Sequence, residues 1–177
     1  VYVAGAAPAR AGCFPVADFL QKPDEAAARE AGALDAAGRV LVDTGILSFD
    51  PAAVETMLAA AGVVFEGGAL RCGEGLLRAI IEGSSPSVDL YQEFTIALAP
   101  RADRAGYARR LKGDSEHRRR MLEFRGKVRR LPFHVNVLPD CEFFHVGSSR
   151  ELLESVGTLN RTACLHGFQP RAHSHVN

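Results

Sequence analysis

Cysteine is sparse: Cys13, Cys72, Cys141 and Cys164 lie far apart, and none forms a C-x-x-C pair. That spacing argues against a disulfide scaffold and for free thiols in a reducing, cytoplasmic compartment. No apolar run approaches the roughly 18 residues needed to cross a bilayer, so a membrane-spanning protein is excluded. The first residues show no charged region leading into an apolar one. Starting at Val1 without methionine, the chain is expected to be a piece of a longer protein rather than a secreted precursor. It has no internal repeat and no low-complexity linker. No Ser-His-Asp set, H-E-x-x-H, G-x-G-x-x-G or G-x-x-x-x-G-K-[ST] can be found, which removes the commonest hydrolase, zinc-protease and nucleotide-loop signatures. Lysine is also scarce, three residues against eighteen arginines.

What remains is ordinary globular material. The 177 residues are 47% hydrophobic and 24% charged, fitting one domain or one domain with part of a neighbour. The formal net charge of zero hides an asymmetry. Residues 101–130 hold twelve of the 21 basic and four of the 21 acidic side chains, so that stretch carries +8 and the rest −8. Such a block serves as a solvated helix face, as steering for an anionic small molecule, or as a nucleic-acid surface. Only Tyr107 and Phe124 provide aromatics within it, so base stacking is poorly supported. The block is expected to be solvated or paired with the acidic remainder, without a nucleic-acid partner.

Local patterns predict a mixed α/β chain. Residues 13–20 form an apolar, β-prone run. Asp24 caps a short helix over 25–31, and Asp50-Pro51 starts another through Ala60. Between them Val40–Val42 and Ile46–Phe49 are predicted strands, broken by Asp43-Thr44-Gly45. Residues 66–75 are glycine-rich and predicted as loop. Helices are expected over 76–82, 89–98, 105–111 and 115–128, and strands over 133–138 and 141–146. A short helix is predicted over 149–155, with irregular chain from Thr158 onward.

Several residues stand out as carriers of chemistry. Lys22, between Gln21 and Pro23 at a strand end, is a compact charge suited to phosphate, or simply a surface lysine before a turn. Asp43-Thr44-Gly45 places a carboxylate and a hydroxyl at a strand break, suited to a ligand's hydroxyls or to a bulge or backbone turn. Glu93 falls among apolar helix positions and needs a partner, with one of the many arginines the plain expectation. His145-Val146-Gly147-Ser148-Ser149 precedes a helix start, which is either an anion site or an ordinary cap. Cys164, His166, His173 and His175 match no structural zinc spacing.

Taken in order, four segments resemble the GDP-fucose pyrophosphorylase family, whose domain also occurs in bifunctional L-fucokinase/GDP-fucose pyrophosphorylases. They are Phe19-Leu20-Gln21-Lys22-Pro23, Val40 to Phe49 with its Asp43-Thr44-Gly45-Ile46, Asp89-Leu90-Tyr91-Gln92-Glu93-Phe94, and Phe144-His145-Val146-Gly147-Ser148-Ser149-Arg150-Glu151. The resemblance covers roughly residues 13–156. It implies a partial Rossmann-like nucleotidyltransferase domain, the acceptor half, over residues 1–157. Residues 158–177 would then lead into a left-handed β-helix. It implies transfer of a guanylyl group from GTP to fucose 1-phosphate with Mg²⁺, releasing pyrophosphate. Lys22 and Glu93 would be the catalytic pair, Lys22 holding the sugar phosphate and Glu93 supporting its pocket. Gln21, Asp43, Thr44, Gly45, His145, Gly147, Ser148 and Ser149 would bind substrate. His145 stands where related enzymes carry a metal-binding Asp, so the metal ligands are left unassigned. The nucleotide-binding loop would lie upstream of Val1 and the β-helix downstream, with the fragment alone inactive. A non-catalytic sugar-phosphate-binding module and part of an L-fucokinase are the alternatives.

Overall fold

Two short antiparallel strands open the chain: β1 (Tyr2–Ala4) and β2 (Cys13–Phe19). Tyr2 pairs with Phe19 and Val3 with Asp18, and the register then slips so that Ala4 meets Val16. A late strand, β5 (His134–Asn136), pairs antiparallel on the other side of β2, giving the order β1-β2-β5. The computed structural model describes residues 1–138 and 147–165, with side chains described up to residue 158. It divides into two compact units, Val1–Leu138 and Pro139–Asn177, each described by itself below. The architecture is mixed α/β, with small sheets and seven α-helices among the described residues.

Aspartate starts most helices of the first unit. Asp24 caps α1 (Glu25–Glu30) by accepting from the Ala27 amide, and Asp50 caps α2 (Pro51–Ala60) by accepting from Ala53. In each case a short carboxylate satisfies an amide that has no partner within the helix. After α3 (Leu76–Ile81), Asp89 caps a π-helical turn over Leu90–Thr95 that runs into α4 (Ile96–Leu98). Asp103 and Asp114 cap α5 (Arg104–Arg110) and α6 (Ser115–Val128). On α6, His117, Met121, Phe124 and Val128 recur at intervals of three and four and are buried, the spacing of one helical face. Met121, Phe124 and Val128 join Tyr2, Phe19, Ile96, Leu98, Tyr107 and Leu111 in the main core.

The structure departs from the sequence expectations in four places. Val40–Val42 and Ile46–Phe49 are not strands; Leu41 alone makes an isolated bridge to Tyr2. The Asp43 carboxylate takes the Gly45 amide at 2.9 Å, and Gly45 has φ 77°. This local turn replaces ladder hydrogen bonds and leaves Val42 and Ile46 exposed. The expected loop at 66–75 contains a hairpin instead, β3 (Val63–Glu66) with β4 (Ala69–Cys72). Its two-residue turn is Gly67-Gly68, both at positive φ, as the tight hairpin turn requires. The helix at 89–98 begins as π rather than α. In the second unit, the expected irregular chain from Thr158 continues α7 (Ser149–Leu165). Residues 141–146 and 172–177, expected to form a strand and the β-helix entry, lie outside the described residues.

Candidate functional site

β2 delivers its last residue, Phe19, fully into the core and then turns sharply. Lys22 has φ 46°, the one non-glycine residue at positive φ among those described. A side chain in that region costs about 1 kcal/mol or more, so the surroundings hold the chain there. The two neighbours of Lys22, Gln21 and Pro23, line a cavity of about 350 Å³ with Leu20, Ala27, Gln92, Ile96 and Arg110. Three sequence-distant elements therefore meet: the β2–α1 turn, the π-helical turn and the end of α5.

Aromatic rings hold these segments in place. The Tyr2 and Phe19 centroids are 5.0 Å apart, and Phe19 stacks on Tyr91 at 6.3 Å. Tyr2 also has the Asp43 carboxylate near enough to its phenol to act on it electrostatically. Burial, reinforced by that carboxylate, pushes the Tyr2 phenol well above its ordinary range. A Cβ placed on Gly45 would come within 3.4 Å of the Tyr91 hydroxyl. Asp43-Thr44-Gly45 thus lies against the residue next to Gln92, with Thr44 exposed. The predicted residues Gln21, Lys22, Asp43, Thr44, Gly45 and Glu93 belong to one neighbourhood, although only Gln21 among them lines the cavity.

Glu93 faces inward. It is 1% exposed, and its Oε2 accepts from the Asp89 amide at 2.8 Å while Oε1 accepts from the Lys112 amide at 3.1 Å. His117 Nε2 lies 3.5 Å from Oε1, without a hydrogen bond between them. On its other side His117 Nδ1 shares a 2.6 Å hydrogen bond with Ser85 Oγ. The Tyr107 hydroxyl donates to the Glu93 carbonyl at 3.0 Å, and burial followed by the Glu93 charge raises the Tyr107 phenol strongly. The partner of Glu93 is therefore a histidine and two backbone amides, not the expected arginine. Ser85, His117 and Glu93 are all enclosed, so they form an internal brace rather than an open catalytic set.

The basic stretch divides by partner. Arg119 pairs with Glu116 and Glu123, Arg120 with Glu116, and Arg109 with Asp103 at 4.0 Å. These acids belong to the basic stretch itself, and Arg101, Arg104 and Arg118 are exposed without an acidic partner among the described residues, so the stretch is solvated or paired within itself rather than with the acidic remainder. Arg125 is buried over the Tyr107 ring and donates to the Ala102 carbonyl; its burial lowers its basicity. Gln21, Lys22, Gln92 and Arg110 differ from all of these. Among the described residues no hydrogen bond or ion pair occupies their side chains. Sequence reasoning missed Tyr2, Tyr91, Gln92 and Arg110; a lone arginine in a run of arginines gives no signal of its own.

The second unit places Gly147, Ser148 and Ser149 at the start of α7. Ser148 Oγ accepts from the Glu151 amide at 3.2 Å, while the Glu151 carboxylate accepts from the Gly147 amide and the Ser148 hydroxyl, both at 3.0 Å. This reciprocal pattern is a capping box. His145, His166, His173 and His175 lie outside the described residues, as does the Cys164 side chain.

The cavity suits an anion bearing hydroxyl groups: two amides and an arginine on its walls, a lysine beside it, and no carboxylate in the lining. A hard divalent cation such as Mg²⁺ asks for oxygen donors, chiefly carboxylates. The lining does not fit that demand, and the described residues contain no group of three His, Cys, Asp or Glu side chains able to share an ion. Among the described residues no helix is long and apolar enough to cross a membrane.

The family of such a site follows from comparison with known proteins. A model of the fucose pyrophosphorylase domain matches residues 1–177, the whole chain. The chain belongs to the fucose pyrophosphorylase domain family, which is of an enzyme type and indicates a nucleotidyltransferase-like function acting on nucleotide and sugar-phosphate substrates. No curated protein and no solved structure matches it.

Proposed function

We propose that the chain forms the acceptor side of a fucose-1-phosphate guanylyltransferase. The observation that carries this reading is the gathering of Gln21, Gln92 and Arg110 on one cavity, beside Lys22, with none of the four side chains occupied by the protein. Polar groups left free at a concave site are what a ligand of matching chemistry would satisfy. In the proposed reaction a phosphate oxygen of fucose 1-phosphate attacks the α-phosphorus of GTP. The bond from that phosphorus to the bridging oxygen breaks, and pyrophosphate leaves with the electron pair. The protein's part is positioning and charge neutralisation. Lys22 holds the phosphate, Gln21 and Gln92 offer amides, and Asp43 and Thr44 meet sugar hydroxyls. Glu93 keeps the walls in place from behind.

The finer fold reading is a Rossmann-like acceptor half, completed by a nucleotide-binding half and followed by a β-helix in the same protein. It rests on the order of the four segments, since the described strands pair only antiparallel. Magnesium, held by residues outside this cavity, and cytoplasmic location are part of the same proposal. The test is pyrophosphate release from GTP and β-L-fucose 1-phosphate by the purified full-length protein. Lys22→Ala is expected to lower kcat/KM by roughly 10–100-fold, the loss of one charged hydrogen bond. A wild-type protein that releases no pyrophosphate from this pair overturns the reading.

A further inference from the structure

Arg110 ends α5, and its position is unusually well fixed for an exposed arginine. Leu111, which follows it, is 2% exposed in the main core. One residue further, the Lys112 amide donates to Glu93 Oε1 at 3.1 Å, and Tyr107 on the preceding turn donates to the Glu93 carbonyl at 3.0 Å. Glu93 is also the chain neighbour of Gln92. One buried residue therefore ties down both the wall that presents Gln92 and the wall that presents Arg110. The guanidinium has no acidic partner among the described residues, a state it shares with the exposed Arg101, Arg104 and Arg118, and it differs from these in lining the cavity. An unpaired arginine on a fixed backbone is preorganised for an external anion.

We propose that Arg110 is a specificity-determining residue of the cavity, taking two oxygens of a phosphate ester through its planar fork, with Glu93 as its positioning residue. The proposal rests on the acceptor reading for the identity of the ligand. The chemistry of the fork distinguishes this role from a general positive charge. Guanidinium matches two oxygens of one phosphate, whereas an ammonium offers a point charge without that geometry. The cavity would thus separate a sugar phosphate from the free sugar through the Arg110 fork together with the Lys22 charge. Gln21 and Gln92 would serve hydroxyls in either case.

Calorimetric titration of the full-length protein tests this with four probes: β-L-fucose 1-phosphate, α-D-glucose 1-phosphate, inorganic phosphate and L-fucose. Arg110→Ala is expected to weaken the three phosphate probes by roughly 10–100-fold and to leave L-fucose unchanged. Arg110→Lys should recover only part of the loss. Glu93→Gln should weaken the phosphate probes less than Arg110→Ala, and the double variant should bind them no worse than Arg110→Ala alone, the signature of one residue acting through the other. Thermal melting of each variant separates these effects from loss of fold. Phosphate affinity within twofold of wild type in Arg110→Ala overturns the proposal, as does an equal loss for phosphate esters and free fucose. So does a wild-type protein that binds none of the phosphate probes. Arg110-dependent phosphate binding without pyrophosphate release would sink the guanylyltransferase reading and leave this one standing.

Discussion

Two cavities of the first unit have nearly equal size and opposite chemistry. One, of about 360 Å³, lies among Phe49, Val54, Met57, Leu76, Phe94 and Phe124 and is walled almost wholly by carbon. The other, of about 350 Å³, is bounded by Gln21, Gln92 and Arg110 among small apolar neighbours. Volume does not distinguish them; the presence of polar groups does. The apolar space lies where α2, α3 and α6 pack, and its rings pack on one another, with Phe49 and Phe94 each about 6 Å from the next ring centroid. Its residues satisfy each other. In the polar cavity the side chains leave their hydrogen-bonding capacity unspent, which is why function is assigned there.

That contrast makes its largest prediction at Phe124, which is 4% exposed and part of the main core. Phe124→Ala should cost about 3–5 kcal/mol of stability, since a large buried ring is lost and the space beside it grows. Urea unfolding reads the loss directly. The folded fraction should still bind fucose 1-phosphate with wild-type affinity. A parallel loss of affinity would show that the two cavities are one functional unit.

A sharper test uses Lys22, where conformation and chemistry pull in opposite directions. The backbone at φ 46° suits glycine better than any side chain. Lys22→Gly should therefore leave stability unchanged or raise it by up to about 1 kcal/mol, relief of backbone strain being offset by the greater freedom of the unfolded chain. The same substitution should lower kcat/KM by roughly 10–100-fold, as Lys22→Ala does. Stability and activity moving down together would mean that the lysine side chain braces the turn.

How much of this was legible in the sequence depended on how far each signal had to reach. The helices beginning after Asp24, Asp50 and Asp114 appear close to their predicted starts because a cap is decided within three residues. The two runs around Asp43-Thr44-Gly45 have strand composition, yet strands need a neighbour, and the turn at Gly45 removes the ladder. The glycine-rich composition of 66–75 predicts loop, whereas Gly67-Gly68 between two apolar runs marks a hairpin. At the site, Gln21, Lys22 and Glu93 stood out locally by residue type. His117 as the partner of Glu93 did not, because 24 positions separate them and only the packing of α6 joins them. Arg110 is invisible for the opposite reason: it is one of many arginines in the stretch, and only its place on the cavity wall sets it apart.

The smallest expected effect concerns those neighbours. Arg119 lies between Glu116 and Glu123, both within 2.6 Å of its guanidinium, while Arg118 is exposed. Exposed pairs of this kind are worth about 0.2–1 kcal/mol because water screens them. Reversing both charges, Arg118→Glu with Arg119→Glu, sets glutamates at 116, 119 and 123 against one another. Stability should fall by about 1 kcal/mol, and by less as salt rises. Three consecutive arginines at 118–120 point about 100° apart around the helix, so they do not present one stripe to a phosphate backbone. Acceptor kinetics should therefore stay within a few-fold of wild type, and the unaltered protein should bind DNA only weakly at physiological salt. Submicromolar DNA binding that falls steeply with added salt would instead make the helix face an anion surface in its own right. It would also end the distinction drawn between Arg110 and the arginines around it.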